Sequence, residues 1–338
     1  MSFLAAQNRE IPVCFGKLRE SYWIPGRRQQ LDALLAKVGR KRPGARCGER
    51  RATLVGTELQ KMRIAFQGEP GAFSEAAAVR LLGENIVTVP RPTFDATFRA
   101  IAEGAADALL VPVENSLAGS VVRVYDLLLQ SELTITAETI LPIEMHLIGC
   151  PGAALSDIRS VSSHPMALAQ CERFFGQHPS IKRLPAEDTA GSVREALARG
   201  DKAHAAIAGK YAADRYRGTI LAERIQDDTE NFTRFVLLRP VKHSANASAP
   251  DARKMSIAMR LAHRPGSLLS SLEPFARNDV NLLKIESRPI HGRPWEYQFF
   301  VDVEAHAAER LETALRELRE AAHEVRILGL YPAAQNRA

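Results

Sequence analysis

Four short segments carry side chains that could act on a small anion. In the first, Gln67-Gly68-Glu69-Pro70-Gly71-Ala72-Phe73-Ser74, a glycine turn separates an apolar run from a helical pattern. Unpaired N–H groups at a helix start attract anions, so a carboxylate could dock here; an ordinary strand-to-helix turn reads the same. In the second, Glu114, Asn115 and Ser116 close an apolar run ahead of Gly119. Asn115 and Ser116 can donate to a carboxylate, whereas an ionised Glu114 can only accept; capping of the next helix is the alternative for all three. In the third, Ser163-His164-Pro165 opens a helical stretch that carries Gln170 and Cys171. His164 suits a cap, and Gln170 could face the same cleft. The fourth is Asn231-Phe232-Thr233-Arg234-Phe235, where strand alternation turns Thr233 away from Arg234. Arg234 could grip a carboxylate with two parallel bonds or make an ordinary ion pair.

Such residues need a scaffold that gathers strand ends. From residue 62 the pattern predicts strands at 63–67, 86–89, 108–113, 133–137, 144–148, 158–162, 181–184, 205–208 and 232–238. Between them it predicts helices at 74–82, 95–103, 121–130, 165–175, 192–199 and 210–216. This alternation argues for an α/β domain with largely parallel sheets, whose ligands collect at the carboxyl ends of strands. The strand-rich stretch at 133–148 suits a crossover between two lobes. Residues 240–254 read as a linker, residues 255–332 as a βαββαβ ferredoxin-like unit, and residues 333–338 as a tail.

Charge and motif content exclude several classes. Of 45 Lys+Arg and 39 Asp+Glu, residues 1–61 hold 13 and 5, leaving 32 against 34 in the remainder. The basicity thus belongs to the leader, and the body has no overall positive field for nucleic acid. The leader fits a disordered tail, a targeting peptide or sequence upstream of a start at Met62. No apolar run approaches the ~18 residues of a membrane span. Cys14, Cys47, Cys150 and Cys171 form no ligand spacing, so free thiols in a cytoplasmic setting are expected, without metal. There is no GxGxxG after a strand, no P-loop, no HExxH and no GxSxG, and no cofactor is implied.

Together the four segments resemble the motif series of the prephenate dehydratase family. Asp188-Thr189-Ala190 falls where that family has a Thr-Ala pair, and Pro265-Gly266-Ser267-Leu268 and Glu286-Ser287-Arg288-Pro289 resemble the two phenylalanine-binding motifs of its ACT domain. The resemblance spans about residues 62–332. It implies a two-lobed catalytic domain over 62–239, similar in architecture to type 2 periplasmic binding proteins, followed by an ACT regulatory domain over 255–332. The implied reaction is the decarboxylating dehydration of prephenate to phenylpyruvate, with Thr233 at the departing hydroxyl. The implied substrate-binding set is Glu114, Asn115, Ser116, Ser163, Gln170, Thr189, Arg234 and Phe235. L-Phenylalanine as effector would be held by Gly266, Ser267, Leu268, Asn281, Glu286, Ser287 and Arg288, at the ACT–ACT interface of a homodimer or homotetramer.

Three positions depart from the family pattern: Met166 where glutamine is common, Ser267 where alanine is usual, and Gly191-Ser192 where small residues, often alanines, follow. Residues 1–61 are too short for the helical mutase domain that precedes some members, so no chorismate mutase activity is expected. Two other functions fit the same residues. Arogenate dehydratase performs the same elimination on an aminated substrate, and a non-catalytic amino-acid sensor would use the same cleft without turnover.

Overall fold

The structure is a computed structural model that describes residues 61–244, 252–290 and 292–334. The expectations for the leader (1–60), for the middle of the linker (245–251) and for the last residues of the tail (335–338) lie outside the described residues.

The chain begins with β1 (Met62–Gln67), α1 (Phe73–Leu82), β2 (Ile86–Arg91), α2 (Phe94–Ala102), β3 (Ala108–Asn115), β4 (Gly119–Ser120), α3 (Val122–Gln130) and β5 (Leu133–Pro142). It then crosses to β6 (His146–Gly149), β7 (Ser160–Ser163), α4 (Pro165–Ala169), α5 (Glu172–Gln177), β8 (Lys182–Pro185), α6 (Thr189–Arg199), β9 (His204–Ala208), α7 (Lys210–Tyr216) and β10 (Thr219–Ala222). It returns through β11 (Phe232–Pro240) and α8 (Val241–Ser244), and ends with β12 (Lys254–Arg260), α9 (Ser267–Arg277), β13 (Asn281–Ile290), β14 (Arg293–Glu304), α10 (Ala308–Ala321) and β15 (Glu324–Tyr331).

Two lobes result because the chain crosses twice at one place. Pro142 leads out and Asn231 leads back, and Ile143 N donates to Asn231 O at 2.8 Å. The second lobe holds the sheet β10-β6-β9-β7-β8. Its strand β9 is buried along its whole length between helices on both faces, which explains the apolar run His-Ala-Ala-Ile-Ala. The first lobe's sheet runs β5-β11-β3-β1-β2. The sheets are mixed rather than largely parallel, because β11 returns antiparallel between β3 and β5. That return puts the Asn231–Phe235 segment beside Glu114 and Asn115.

The βαββαβ unit forms as the hydrophobic periodicity predicts, but it does not stand apart. Its sheet β13-β14-β12-β15 continues into the first lobe through a parallel contact of Gly329 with Ile135. One face of this sheet packs on α9 and α10 through Ile257, Phe275, Val301 and Leu318. The other contributes Ala258, Phe300 and Leu328 to the core of the first lobe, with the Tyr125 and Phe300 rings 4.7 Å apart. That second face is therefore covered in part by α3 of the same chain. The edge strand β13 still exposes Leu282 and Ile285.

Glycine is what permits the two sheets to join. A Cβ on Gly329 would lie 2.3 Å from Ile135 O, a backbone atom that cannot move aside. Gly329→Ala is expected to cost at least ~1–3 kcal/mol, the usual penalty for overpacking, read as a lower midpoint in denaturant unfolding. Gly176→Ala, with open space around the added carbon, should leave the midpoint unchanged or raise it.

Candidate active site

A cleft of about 420 Å³ opens where the carboxyl ends of β1, β3 and β7 face the start of β11. This is where ligands gather in open α/β sheets. Asn115, Gln170, Thr189, Thr233 and Phe235 line it, together with Asn231, to which the sequence alone assigned no role. Phe235 supplies a buried apolar floor, and Thr189 opens α6.

The amides in the cleft form a chain with a definite polarity. Asn115 Oδ1 accepts from the N–H groups of Leu117 (3.0 Å) and Ala118 (2.8 Å), so its NH2 must point toward β11. There Asn115 Nδ2 donates to Thr233 Oγ1 at 2.9 Å and to Asn231 Oδ1 at 2.7 Å. Asn231, turned by that contact, donates through Nδ2 to Gln170 Oε1 at 3.2 Å. Two consequences follow for a ligand. The Thr233 hydroxyl, already accepting, has its own hydrogen free, and the Gln170 NH2 is left as a donor at the far end.

Three helix starts border the same space. His164 caps α4 by accepting the Met166 N–H at Nδ1, and Asp188 caps α6 by accepting the Gly191 N–H at 2.6 Å. The start of α1 has no side-chain cap, although Ala72, Phe73 and Ser74 line the cleft there. Its free N–H groups are ready to take a carboxylate. Charged side chains on the cleft wall are acidic: Glu187 and Asp188 are present, and no lysine or arginine lines it among the described residues.

Four expected ligand-binding residues sit elsewhere. Arg234 and Glu114 lie on the opposite face of the sheet, because Thr233 and Asn115 are their register-paired neighbours and side chains alternate. Arg234 cannot hold a carboxylate in the cleft; its guanidinium instead meets Asp302 (2.6 Å), Glu114 (3.4 Å) and Glu138 (3.5 Å). Ser116 clips two strand ends: it donates to Glu230 O at 2.7 Å and accepts the Phe232 N–H at 2.9 Å. Ser163 is fully buried and donates to Ile207 O at 2.6 Å, tying β7 to β9. Periodicity could place these side chains on opposite faces but could not say which face was the cleft. The expected helix over 165–175 is also two helices, broken between Ala169 and Glu172. That break turns Gln170 toward Asn231.

The face opposite the cleft is a buried ionic cluster. Burial works against charge on Arg234, yet Asp302 and its neighbours more than offset this and keep its pKa raised. Burial would likewise raise Asp302, but Arg234, Ser256 and Lys254 hold its carboxyl below the usual range. Lys254, lowered by burial and by Arg234, still donates to both Glu138 oxygens at 2.9 and 2.8 Å.

The expected effector residues are dispersed within the one chain. Ser267 and Leu268, after Gly266 at the start of α9, line a small pocket with His263, Arg264 and Tyr297. Asn281 lines a different one, beside Arg253 and Asp279. Glu286, Ser287 and Arg288 lie along β13, with Glu286 turned toward Ser120 of the first lobe.

The family model described as prephenate dehydratase matches residues 64–243. Over 287 residues the chain is 41% identical to arogenate dehydratase/prephenate dehydratase 1, chloroplastic, of Arabidopsis thaliana, covering 80% of this chain and 72% of that protein. It is 34% identical to the crystal structure of an Arthrobacter aurescens prephenate dehydratase in complex with L-Phe, with a TM-score of 0.71, over 80% of this chain and 90% of that one. It is 33% identical, with a TM-score of 0.73, to a structure described as a novel type of quorum quenching acylase, over 82% of this chain and all of that one.

Because Ser163 holds two strands rather than facing the cleft, Ser163→Ala should lower stability by about 1 kcal/mol, the net worth of one hydrogen bond. Ligand turnover by the folded variant should match wild type. A selective loss of turnover at unchanged stability would return Ser163 to the site.

Proposed function

The chain belongs to the prephenate dehydratase family, and we propose that it converts prephenate to phenylpyruvate, carbon dioxide and water, with Thr233 at the departing ring hydroxyl. The observation that carries this reading is the Thr233 hydroxyl on the cleft floor, one lone pair occupied by Asn115 and its hydrogen free among the described residues. Aromatisation of the ring supplies the driving force, so the protein needs only to hold two carboxylates and help the hydroxyl leave. A threonine is too weak an acid to transfer a proton beforehand. It acts as a hydrogen-bond donor whose bond strengthens as charge develops on the leaving oxygen, which takes its proton from solvent to leave as water. Gln170 and the uncapped start of α1 supply neutral donors for the carboxylates. Phe235 packs beneath the ring.

Thr233→Ala should fold with an unchanged melting temperature and lose roughly 10²–10³-fold in kcat, the size expected for one preorganised donor. Thr233→Ser, which keeps the hydroxyl, should recover part of it. Unimpaired turnover by the alanine variant would remove Thr233 from the mechanism.

The acidic wall favours a second substrate of the same shape. Arogenate replaces the keto group of prephenate with an ammonium, and Glu187 at the cleft wall could receive it where no lysine or arginine competes among the described residues. Comparing kcat/KM on the two substrates separates these readings. If arogenate is the better substrate, Glu187→Gln should reduce that preference while leaving prephenate turnover intact; an unchanged ratio rules Glu187 out. Amide hydrolysis, suggested by the acylase relative, asks for a hydroxyl held by a base, whereas Thr233 is held by the neutral amide of Asn115. A purely sensing role would show as ligand binding without turnover of either compound.

We further propose L-phenylalanine as effector at the βαββαβ unit, and assembly as a dimer or tetramer. Exposed Leu282 and Ile285 on the β13 edge support a second copy there, which would complete a site that one chain leaves dispersed. Free, buried Cys150 and Cys171 suit the reducing cytoplasm.

A further inference from the structure

The strand end that carries Asn115 lies beyond an irregularity in its sheet. The β3–β11 register shifts between Arg234, opposite Glu114, and Phe235, opposite Pro112, leaving Val113 as an extra residue. A bulge interrupts the ladder and lets the strand beyond it bend. Past the bulge, Glu114 and Asn115 pair with Arg234 and Thr233 of β11 on one side and with the two-residue β4 on the other, Glu114 opposite Ser120 and Asn115 opposite Gly119. Asn115 must stay within ~0.5 Å of its productive placement to hold Thr233.

Side chains from the C-terminal unit add a restraint from outside the lobe. Lys284, on the edge strand β13, has its side chain only 9% exposed and reaches both members of one cross-strand pair. Its Nζ donates to Ser120 Oγ at 2.6 Å and lies 3.4 Å from Glu114 Oε1. Glu286, two residues along the same strand face, accepts from the Ser120 hydroxyl and lies 3.5 Å from Lys284. The other oxygen of Glu114 meets Arg234 Nη1 at 3.4 Å, on the strand of Thr233 itself. Lys284 also lies 5.2 Å from the centre of the Tyr125 ring, so its ammonium is enclosed on that side.

We propose that Lys284 is a positioning residue for the active site: it clamps Glu114 against Ser120 and thereby fixes Asn115 and the Thr233 hydroxyl. The inference rests on Thr233 acting at the leaving hydroxyl. It makes the edge strand of the C-terminal unit a working part of the catalytic lobe, so that anything moving β13 shifts the donor geometry. The Tyr125 hydroxyl in the adjoining cluster is buried without a hydrogen-bond partner among the described residues.

The test uses the full chain with prephenate and with arogenate. Lys284→Met keeps the length and loses the charge; kcat should fall roughly ten-fold with KM within about two-fold, because misplacement of a donor acts on the transition state. Lys284→Arg should recover most of that loss. On a Glu114→Gln background, Lys284→Met should cost little more, since both changes release one clamp. If Lys284→Met does not fold, Ser120→Ala removes the other anchor and should show the same split. Variants that fold with wild-type kcat, or losses that simply add, overturn the clamp. Wild-type protein inert on both substrates overturns the assignment of the reaction instead, and the clamp with it.

Discussion

A guanidinium buried in protein cannot shed its charge, and Arg234 imposes that constraint on everything around it. Its side chain is 11% exposed, so carboxylates must be brought to it, and they come from three strands: Glu138 on β5, Glu114 on β3 and Asp302 on β14. Removing one partner of such a pair leaves an uncompensated charge, typically at a cost of ~3–5 kcal/mol. The cluster thereby ties β3, β5 and β14 to β11. Asp302 belongs to the C-terminal unit, so the charge that accompanies Thr233 along β11 also attaches that unit to the catalytic lobe.

The same alternation gives β11 two jobs. Thr233 and Phe235 face the cleft, while Arg234 faces the ionic cluster, one peptide away. A strand in the middle of a continuous sheet can do this only if both faces are covered. Here the C-terminal unit covers one, through Phe300 and Tyr331 in the core shared with α3. Gly329 allows the sheets to approach, and one strand order then runs from the edge strand β13 to β2.

On the cleft side the hydrogen-bond donors are neutral, beside an acidic wall of Glu187 and Asp188. A dianionic ligand would be met by amides, a hydroxyl and an uncapped helix start rather than by fixed cations. Neutral donors stabilise a developing charge well only when they are held in place before the reaction, since they have no long-range field to compensate for misalignment. This explains the polarity of the Asn115–Asn231–Gln170 chain. Each amide is turned by the one before it, and the first is fixed by two backbone N–H groups.

Much of this was legible in the amino-acid order, because it depends on neighbours within a few residues. Periodicity and glycine placement determined the alternation of strands and helices, the βαββαβ unit and the four segments at strand ends. Composition placed the basic charge outside the body, and the motif series determined the family. Tertiary structure alone decided which face of each strand meets the ligand: a period of two says that Thr233 and Arg234 point apart but not where either points. It also decided the partners. Asn115 and Asn231 are 116 residues apart and Arg234 and Asp302 are 68, so no local rule links them. The break after Ala169, which aims Gln170, came from packing against the returning chain at Asn231 and Asp227. Short-range order thus determined the elements and the chemistry they could carry. Long-range contacts decided which of those groups meet, because strand faces acquire a meaning only once another part of the chain covers them.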